Sequence, residues 1–387
     1  MAFGVYIHIP YCVQRCHYCD FTTFEKSRIM PMEDYLQILL KELRKWSSQI
    51  SEQQIDTIYF GGGTPSLLPA EHIVSILDTL ATVGSFHISS QCEVTLEINP
   101  ATVDESKLDL YRGHGVNRYS VGAQTFNPEQ LKRCGRIHSA QDTRNTLRLL
   151  EKYDLNYSFD LLFGLPFQTL MDLESDLQEA QNYAMPHLSA YCLTVPQGHP
   201  MSTNRAEDDV QIQMFQIIEQ RLKEMGLLKY EISNFAKPGN ESRHNMLYWT
   251  DQSYWGIGIS AHSYLRSTAL SPYGSRFWNP KDFPSYLDHI ENASLELVSA
   301  KNSYSEHLLE HESMTDFCHT QMRLSSGLSL IDFESKFPKK SANLLPILEK
   351  LASQELIEFE NDSARLTKTG EGLSNLVFSE LTFMTSS

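Results

Sequence analysis

The stretch GVYIHIPYCVQRCHYCDF, residues 4–21, runs from an apolar, strand-like segment straight into three cysteines, Cys12, Cys16 and Cys19. The same pairing of a short apolar run with a polar or Gly-rich loop recurs along the chain. IDTIYF from Ile55 leads into GGGTP, CEVTLEI from Cys92 into NP, NRYSVG from Asn117 into AQTF, and YSFDLLFG from Tyr157 into LPFQT, with HLSAYCL from His187 as the last run. Between them lie segments of helical periodicity near 33–47, 69–81, 104–112, 139–153 and 169–183. Strand and helix alternating in this way predict an α/β fold with a parallel sheet and right-handed crossovers. The six runs predict a partial (β/α)6 barrel, with an open doubly wound sheet as the alternative. In either, the loops after the strands share one rim, where such folds keep their chemistry.

Composition narrows the classes of partner. The 387 residues carry a net charge of −16, which argues against broad electrostatic binding to nucleic acid. The opening MAFGVYIHIP has no basic region ahead of an apolar core, and no apolar run reaches the roughly 18 residues of a membrane span, so the expected location is cytoplasmic. In a reducing compartment three clustered thiols point to metal or redox chemistry rather than disulfides. The other four cysteines, Cys92, Cys134, Cys192 and Cys318, stand singly in apolar segments and read as small buried hydrophobes.

Past residue 205 the pattern changes. A helical stretch leads to LLKYEISNF and then to SRHNMLYWTDQSYWGIGISAHSY, rich in His, Tyr and Trp. The expected division is a core over 1–235, a segment over 236–300 that packs on it, and a helical or winged-helix-like module over 301–387, with LIEFENDSARLTKTGEGL as a hairpin.

Thiolates select zinc, copper(I) or iron–sulfur clusters. A closed zinc site takes four ligands, and only His8 or His17 lies near enough in sequence to complete one. Three thiolates can instead hold three irons of a four-iron cluster and leave the fourth open. The spacing CxxxCxxC, with Tyr18 before the third cysteine, resembles the signature of the radical S-adenosylmethionine enzymes. The resemblance implies a [4Fe-4S] cluster on Cys12, Cys16 and Cys19, with S-adenosylmethionine on the open iron as the source of a 5′-deoxyadenosyl radical. It further implies that Gly62, Gly63 and Thr64 of GGGTP meet the amino group of S-adenosylmethionine. Tyr6, Glu97, Gln124, Arg136 and Asp160 match cofactor-contacting positions of one branch, the oxygen-independent coproporphyrinogen III dehydrogenases.

Nearly the whole chain is similar to a neighbouring branch, the HemW family of haem chaperones. The dehydrogenases continue the motif to CxxxCxxCxC and carry a long N-terminal extension; here Phe21 stands at the added position, as in HemW-like proteins, and the first motif cysteine is already residue 12. HNMLYW, residues 244–249, matches the HNxxYW motif of that family, which implies His244 as haem ligand, with His262 in SAHSY as the weaker candidate. The family reading implies haem, a haem-acceptor protein of respiratory, membrane-associated kind and a reductant for the cluster as partners, and leaves a homodimer open. Radical cleavage of S-adenosylmethionine is expected of the core, and coproporphyrinogen dehydrogenase activity is the alternative function. Two departures stand out: Pro196 where the family has Glu, and Cys134 where it has Leu.

Overall fold

The first strand, β1 (Phe3–Ile9), buries every residue except Tyr6, which is half-buried. Burial on both faces marks a central parallel strand, and the computed structural model, which describes residues 2–50, 54–84, 86–292, 297–299 and 302–384, places it inside a twelve-stranded sheet. The other predicted runs follow as β2 (Gln54–Gly62), β3 (His87–Ile98), β4 (Arg118–Gln124), β5 (Asn156–Phe163) and β6 (His187–Cys192). Each pairs in parallel with the one before it. Because β1 and β6 each turn to other partners and not to one another, the barrel is partial.

The crossover helices form for reasons legible in their residues. Helix α1 (Met32–Trp46) buries Tyr35, Leu36, Leu39, Leu40, Leu43 and Trp46 on one face, with acidic residues in its first turn and basic ones in its last. The helices after β4 and β5, Ala140–Lys152 and Leu170–Ala180, open with capping boxes, Ser139 with Asp142 and Thr169 with Asp172.

Two extensions complete the sheet. Beyond β6, LLKYEISNF folds into β7 (Leu228–Glu231) and β8 (Asn234–Ala236), with β8 antiparallel to β6. On the other flank, β9 (Ser253–Ile257) lies parallel to β1, pairing Tyr6 with Gly256. The antiparallel strands β10 (His262–Leu265), β11 (Ser275–Trp278) and β12 (Ser305–His307) continue outward. The segment over 236–300 is thus woven into the main sheet.

The C-terminal part has a core of its own, built from Phe317, Phe333, Phe337, Leu344, Leu348 and neighbours. Its helices (Glu310–Gln321, Leu330–Lys336, Ser341–Ser353) lead to a hairpin of Ile357–Glu360 and Ser363–Leu366, the arrangement of a winged helix. The expected boundary at 300/301 falls outside the described residues. Lys336 ties this module to the sheet: its ammonium lies 2.7 Å from each carboxylate oxygen of Asp251 and 3.0 Å from the Tyr264 hydroxyl.

Candidate functional site

The rim at the carboxyl ends of β1 to β6 gathers the residues singled out by the sequence. The glycine loop after β2 docks directly against the start of the cysteine loop, with Gly63 N–H donating to the Ile9 carbonyl (2.7 Å) and Thr64 N–H to the Tyr11 carbonyl (2.8 Å). No side chain fits there: a Cβ on Gly63 would sit 2.6 Å from the Tyr11 oxygen. Gly62 has φ +108°, and a Cβ on it would meet the His8 ring at 2.5 Å. All three motif cysteines are free thiols, Cys12 buried and Cys16 and Cys19 partly exposed. Burial, with Cys19 and Cys16 nearby, pushes the Cys12 thiol up to about 11, against the hydroxyls of Thr64 and Thr23. Among the described residues no three His, Cys, Asp or Glu side chains enclose a single metal ion. Cluster thiolates attach to separate irons, so they need not converge on one point.

Inside the barrel mouth a polar belt crosses the strands. Tyr6, Tyr59, Glu97 and Asp160 are half-buried among otherwise buried strand neighbours. Glu97 accepts from the Tyr59 hydroxyl (2.8 Å) and the Gly62 amide (3.2 Å). Burial raises its pKa to about 7, and Asp160 adds to the effect. No cationic side chain pairs with Glu97 among the described residues, so it offers an unneutralised carboxylate to a cation. Asp160, raised to about 6 by burial, accepts from Ser120.

A second group links the strand ends to the thiols. Arg136 donates to Cys16 Sγ (3.4 Å), to Asn99 Oδ1 (2.8 Å) and to the Gly122 carbonyl. Asn99 in turn donates to Thr64 Oγ1 at 2.9 Å. Gln124 ends β4 with φ +71°, a left-handed conformation uncommon for a residue with a side chain, and its amide nitrogen closes on Gly122 beside Arg136. Tyr18 packs against the small apolar cluster that contains Cys134, with Arg136 and Cys16 alongside.

Tyr6, Tyr59, Gly62 and Glu97 open onto a cavity of about 670 Å³ that is also bounded by Tyr248, Trp249, His262 and Lys281. His244, on the short helix Arg243–Trp249, lines it and is 1% exposed. Its Nδ1 bonds Thr57 Oγ1 at 2.7 Å, its Nε2 bonds the Tyr248 hydroxyl at 2.9 Å, and its ring stacks on Tyr59. In this arrangement both ring nitrogens of His244 are engaged, so a bond from it to iron would require one of these hydrogen bonds to break. His262 lies on the cavity wall and is exposed.

Both zinc alternatives lose their fourth ligand or its reach. His8 is held on both nitrogens, by the Thr22 carbonyl (2.8 Å) and the Tyr6 hydroxyl (3.0 Å); since a carbonyl only accepts, Nε2 carries the proton and Nδ1 accepts from Tyr6. His17 is turned out to solvent with Nδ1 on the Arg133 carbonyl. Cys192, expected to be buried, is exposed at the end of β6, whereas Cys92, Cys134 and Cys318 are buried. Asn99 and Tyr59 were not foreseen. Asn99 lies two positions after Glu97, on the same face by the period of a strand, and that spacing was the available signal.

The Radical SAM superfamily matches residues 6–180, and the HemN C-terminal domain matches residues 308–371. A Bacillus subtilis protein, heme chaperone HemW, is 32% identical over 384 residues, covering 97% of this chain and 98% of its own. The chain belongs to the HemW family. The heme chaperone HemW of Escherichia coli is 38% identical over 263 residues, 67% of this chain and 69% of that one. In structure the family member is similar to coproporphyrinogen III oxidase (HemN) from Escherichia coli, a radical SAM enzyme, with a TM-score of 0.82, 19% identity, and coverage of 98% and 90%. That likeness shows the radical SAM fold with its C-terminal domain. No helix among the described residues is long and apolar enough to cross a membrane.

Proposed function

We propose that this protein binds haem and passes it to an acceptor protein, on a radical S-adenosylmethionine core that carries a [4Fe-4S] cluster. The observation that carries the reading is the cavity itself: it joins the cofactor rim at Tyr6, Gly62 and Glu97 to aromatic and imidazole side chains of the HNxxYW region and of β10. At about 670 Å³ it has the size and mixed lining of a site for a flat apolar molecule with polar edges.

The residues present fit both implied groups. Cys12, Cys16 and Cys19 would hold the cluster, and Arg136, donating to Cys16, supplies a positive charge that stabilises the thiolate form. Gly62 lines the cavity beside Glu97, which would supply the counter-charge to the cofactor's amino group, while Gly63 and Thr64 hold this loop against the start of the cysteine loop. Tyr6 lines the cavity beside Glu97, and Tyr18, Gln124, Arg136 and Asp160 would complete the S-adenosylmethionine site from the neighbouring strand ends and loops. When bound, the pair of groups supplies one-electron cleavage of a carbon–sulfur bond. Haem delivery needs no such turnover, and in that role cluster and cofactor set the conformation of the rim. A haem-acceptor protein and a reductant for the cluster are the partners this reading requires.

The test is an anaerobic haem titration of the cluster-reconstituted protein, followed by the Soret band, beside an assay of coproporphyrinogen decarboxylation. Saturable haem binding without decarboxylation supports the proposal. Steady decarboxylation with no specific haem binding refutes it and makes the dehydrogenase the function. In the same preparation, Glu97→Gln is expected to weaken S-adenosylmethionine binding at least tenfold while the cluster absorbance stays.

A further inference from the structure

Two imidazoles line the cavity, and they differ in what metal ligation requires, a ring nitrogen with a free lone pair. His244 has spent both of its nitrogens on Thr57 and Tyr248. To reach iron it would have to break one of those bonds at a position only 1% exposed. His262 is exposed, and neither of its ring nitrogens has a hydrogen-bond partner among the described residues. Its ring lies over Trp278, paired with it across β10 and β11, with centroids 5.9 Å apart and planes 23° from parallel. That backing leaves the edge of the imidazole free while fixing its plane.

The backbone that carries His262 is unusually well held. It follows a turn in which Gly258 takes φ +99° and a Cβ would strike the His8 carbonyl and the Tyr35 hydroxyl, each at 2.7 Å. Glu42, buried in α1, accepts from the Gly258 amide at 2.9 Å, and Asn279 donates to the Gly258 carbonyl at 2.8 Å. The cluster loop reaches the same turn: Thr22, next to Phe21, donates to Ser260 Oγ at 3.0 Å. Nearby, Lys281 lines the cavity without an ion-pair partner among the described residues, whereas Arg276 is paired with Glu306 and Asp316. Burial, with Lys281 and Arg276 close by, holds the His262 imidazole below its ordinary pKa, which favours the neutral ring.

We propose that His262 is the axial ligand to haem iron, with Trp278 fixing its ring and Lys281 facing a haem carboxylate, and that His244 shapes the cavity. The inference rests on the haem-binding reading above and goes beyond it in naming the ligand. The hydrogen bond from Thr22 to Ser260 makes the ligand turn a direct neighbour of the cluster loop, so occupancy of one site bears on the geometry of the other.

The experiment is a titration of the full-length, cluster-reconstituted protein with haemin, read by the Soret band and by low-temperature electron paramagnetic resonance. Wild type, His262→Ala, and His262→Ala with added imidazole are compared, with His244→Ala alongside. The expected result is at least a tenfold loss of affinity and a shifted Soret band in His262→Ala, with imidazole restoring the wild-type spectrum. Because the side chain is exposed, circular dichroism and cluster absorbance of that variant should match wild type. Wild-type affinity and spectrum in His262→Ala would overturn the ligand assignment while leaving haem binding in place. Absence of saturable binding by wild type would instead overturn the haem reading itself.

Discussion

Removing the charge of Glu42 should abolish the pH dependence of one buried site. Its carboxylate, 1% exposed, accepts from the Gly258 amide, from Asn279 Nδ2 (2.6 Å) and from the Tyr286 hydroxyl. Burial raises its pKa from 4.5 to about 7, and those three donors pull in the opposite direction without matching it. A carboxyl group whose pKa is higher folded than unfolded binds more protons in the folded state between those two values, so stability falls as pH rises through that window. At about 1.4 kcal/mol per pH unit, the wild type should lose about 2.5 kcal/mol from this group between pH 5 and pH 8. Glu42→Gln cannot titrate. Its stability relative to wild type should therefore improve by about 2.5 kcal/mol over that interval, whatever the variant costs at pH 5. Urea denaturation of both proteins at the two pH values, followed by tryptophan fluorescence, measures the change, and other carboxylates cancel in the difference. An equal gap between wild type and variant at pH 5 and pH 8 would refute the reasoning.

Two other substitutions probe the site and its attachment. Gly62→Ala forces a left-handed backbone and a Cβ 2.5 Å from the His8 ring, so it should cost roughly 2–5 kcal/mol in denaturation; a loss under about 0.5 kcal/mol would mean the loop can shift aside. Lys336→Ala removes a cation from the carboxylate of Asp251, with the two side chains only 5% and 7% exposed. Arg266 still pairs with Asp251 at 2.8 Å, so the cost should fall to about 2–3 kcal/mol, below that of a fully orphaned charge. Limited proteolysis should then cut between the sheet and the C-terminal module, and an unchanged pattern would count against the ion pair as the tie.

The core strands were legible because each buried strand is a short apolar run closed by turn residues, and because the loop following each carries its polar groups at one rim. The thiol spacing in residues 12–19 was legible for the same local reason. The strand Ser253–Ile257 was not: SYWGI is short and aromatic, and its parallel partner lies about 250 residues away, as in Tyr6 with Gly256. His244 shows the limit at the site. HNxxYW marked it, but no local pattern can reveal that Thr57 from β2 takes one ring nitrogen while Tyr248, one helical turn on, takes the other. Asn99 escaped for the opposite reason, since a polar residue in NP at a strand end reads first as a turn.

The pairing of β1 with β9 also sets an order of events during synthesis. β1 can pair with β2 once the chain has emerged to Gly62, but its other hydrogen-bonding edge has no partner until Ser253–Ile257 is made. At an elongation rate of roughly 5–20 residues per second, that edge stays open for roughly 10–40 s. The cysteine loop leaves from the same strand, and the Gly258–Ala261 turn that meets it through Thr22 and Ser260 arrives only with the closing strand. During translation, then, the thiols emerge with one flank of their scaffold still unbuilt, and the strand that closes the open edge of β1 also brings the Gly258–Ala261 turn against the cysteine loop.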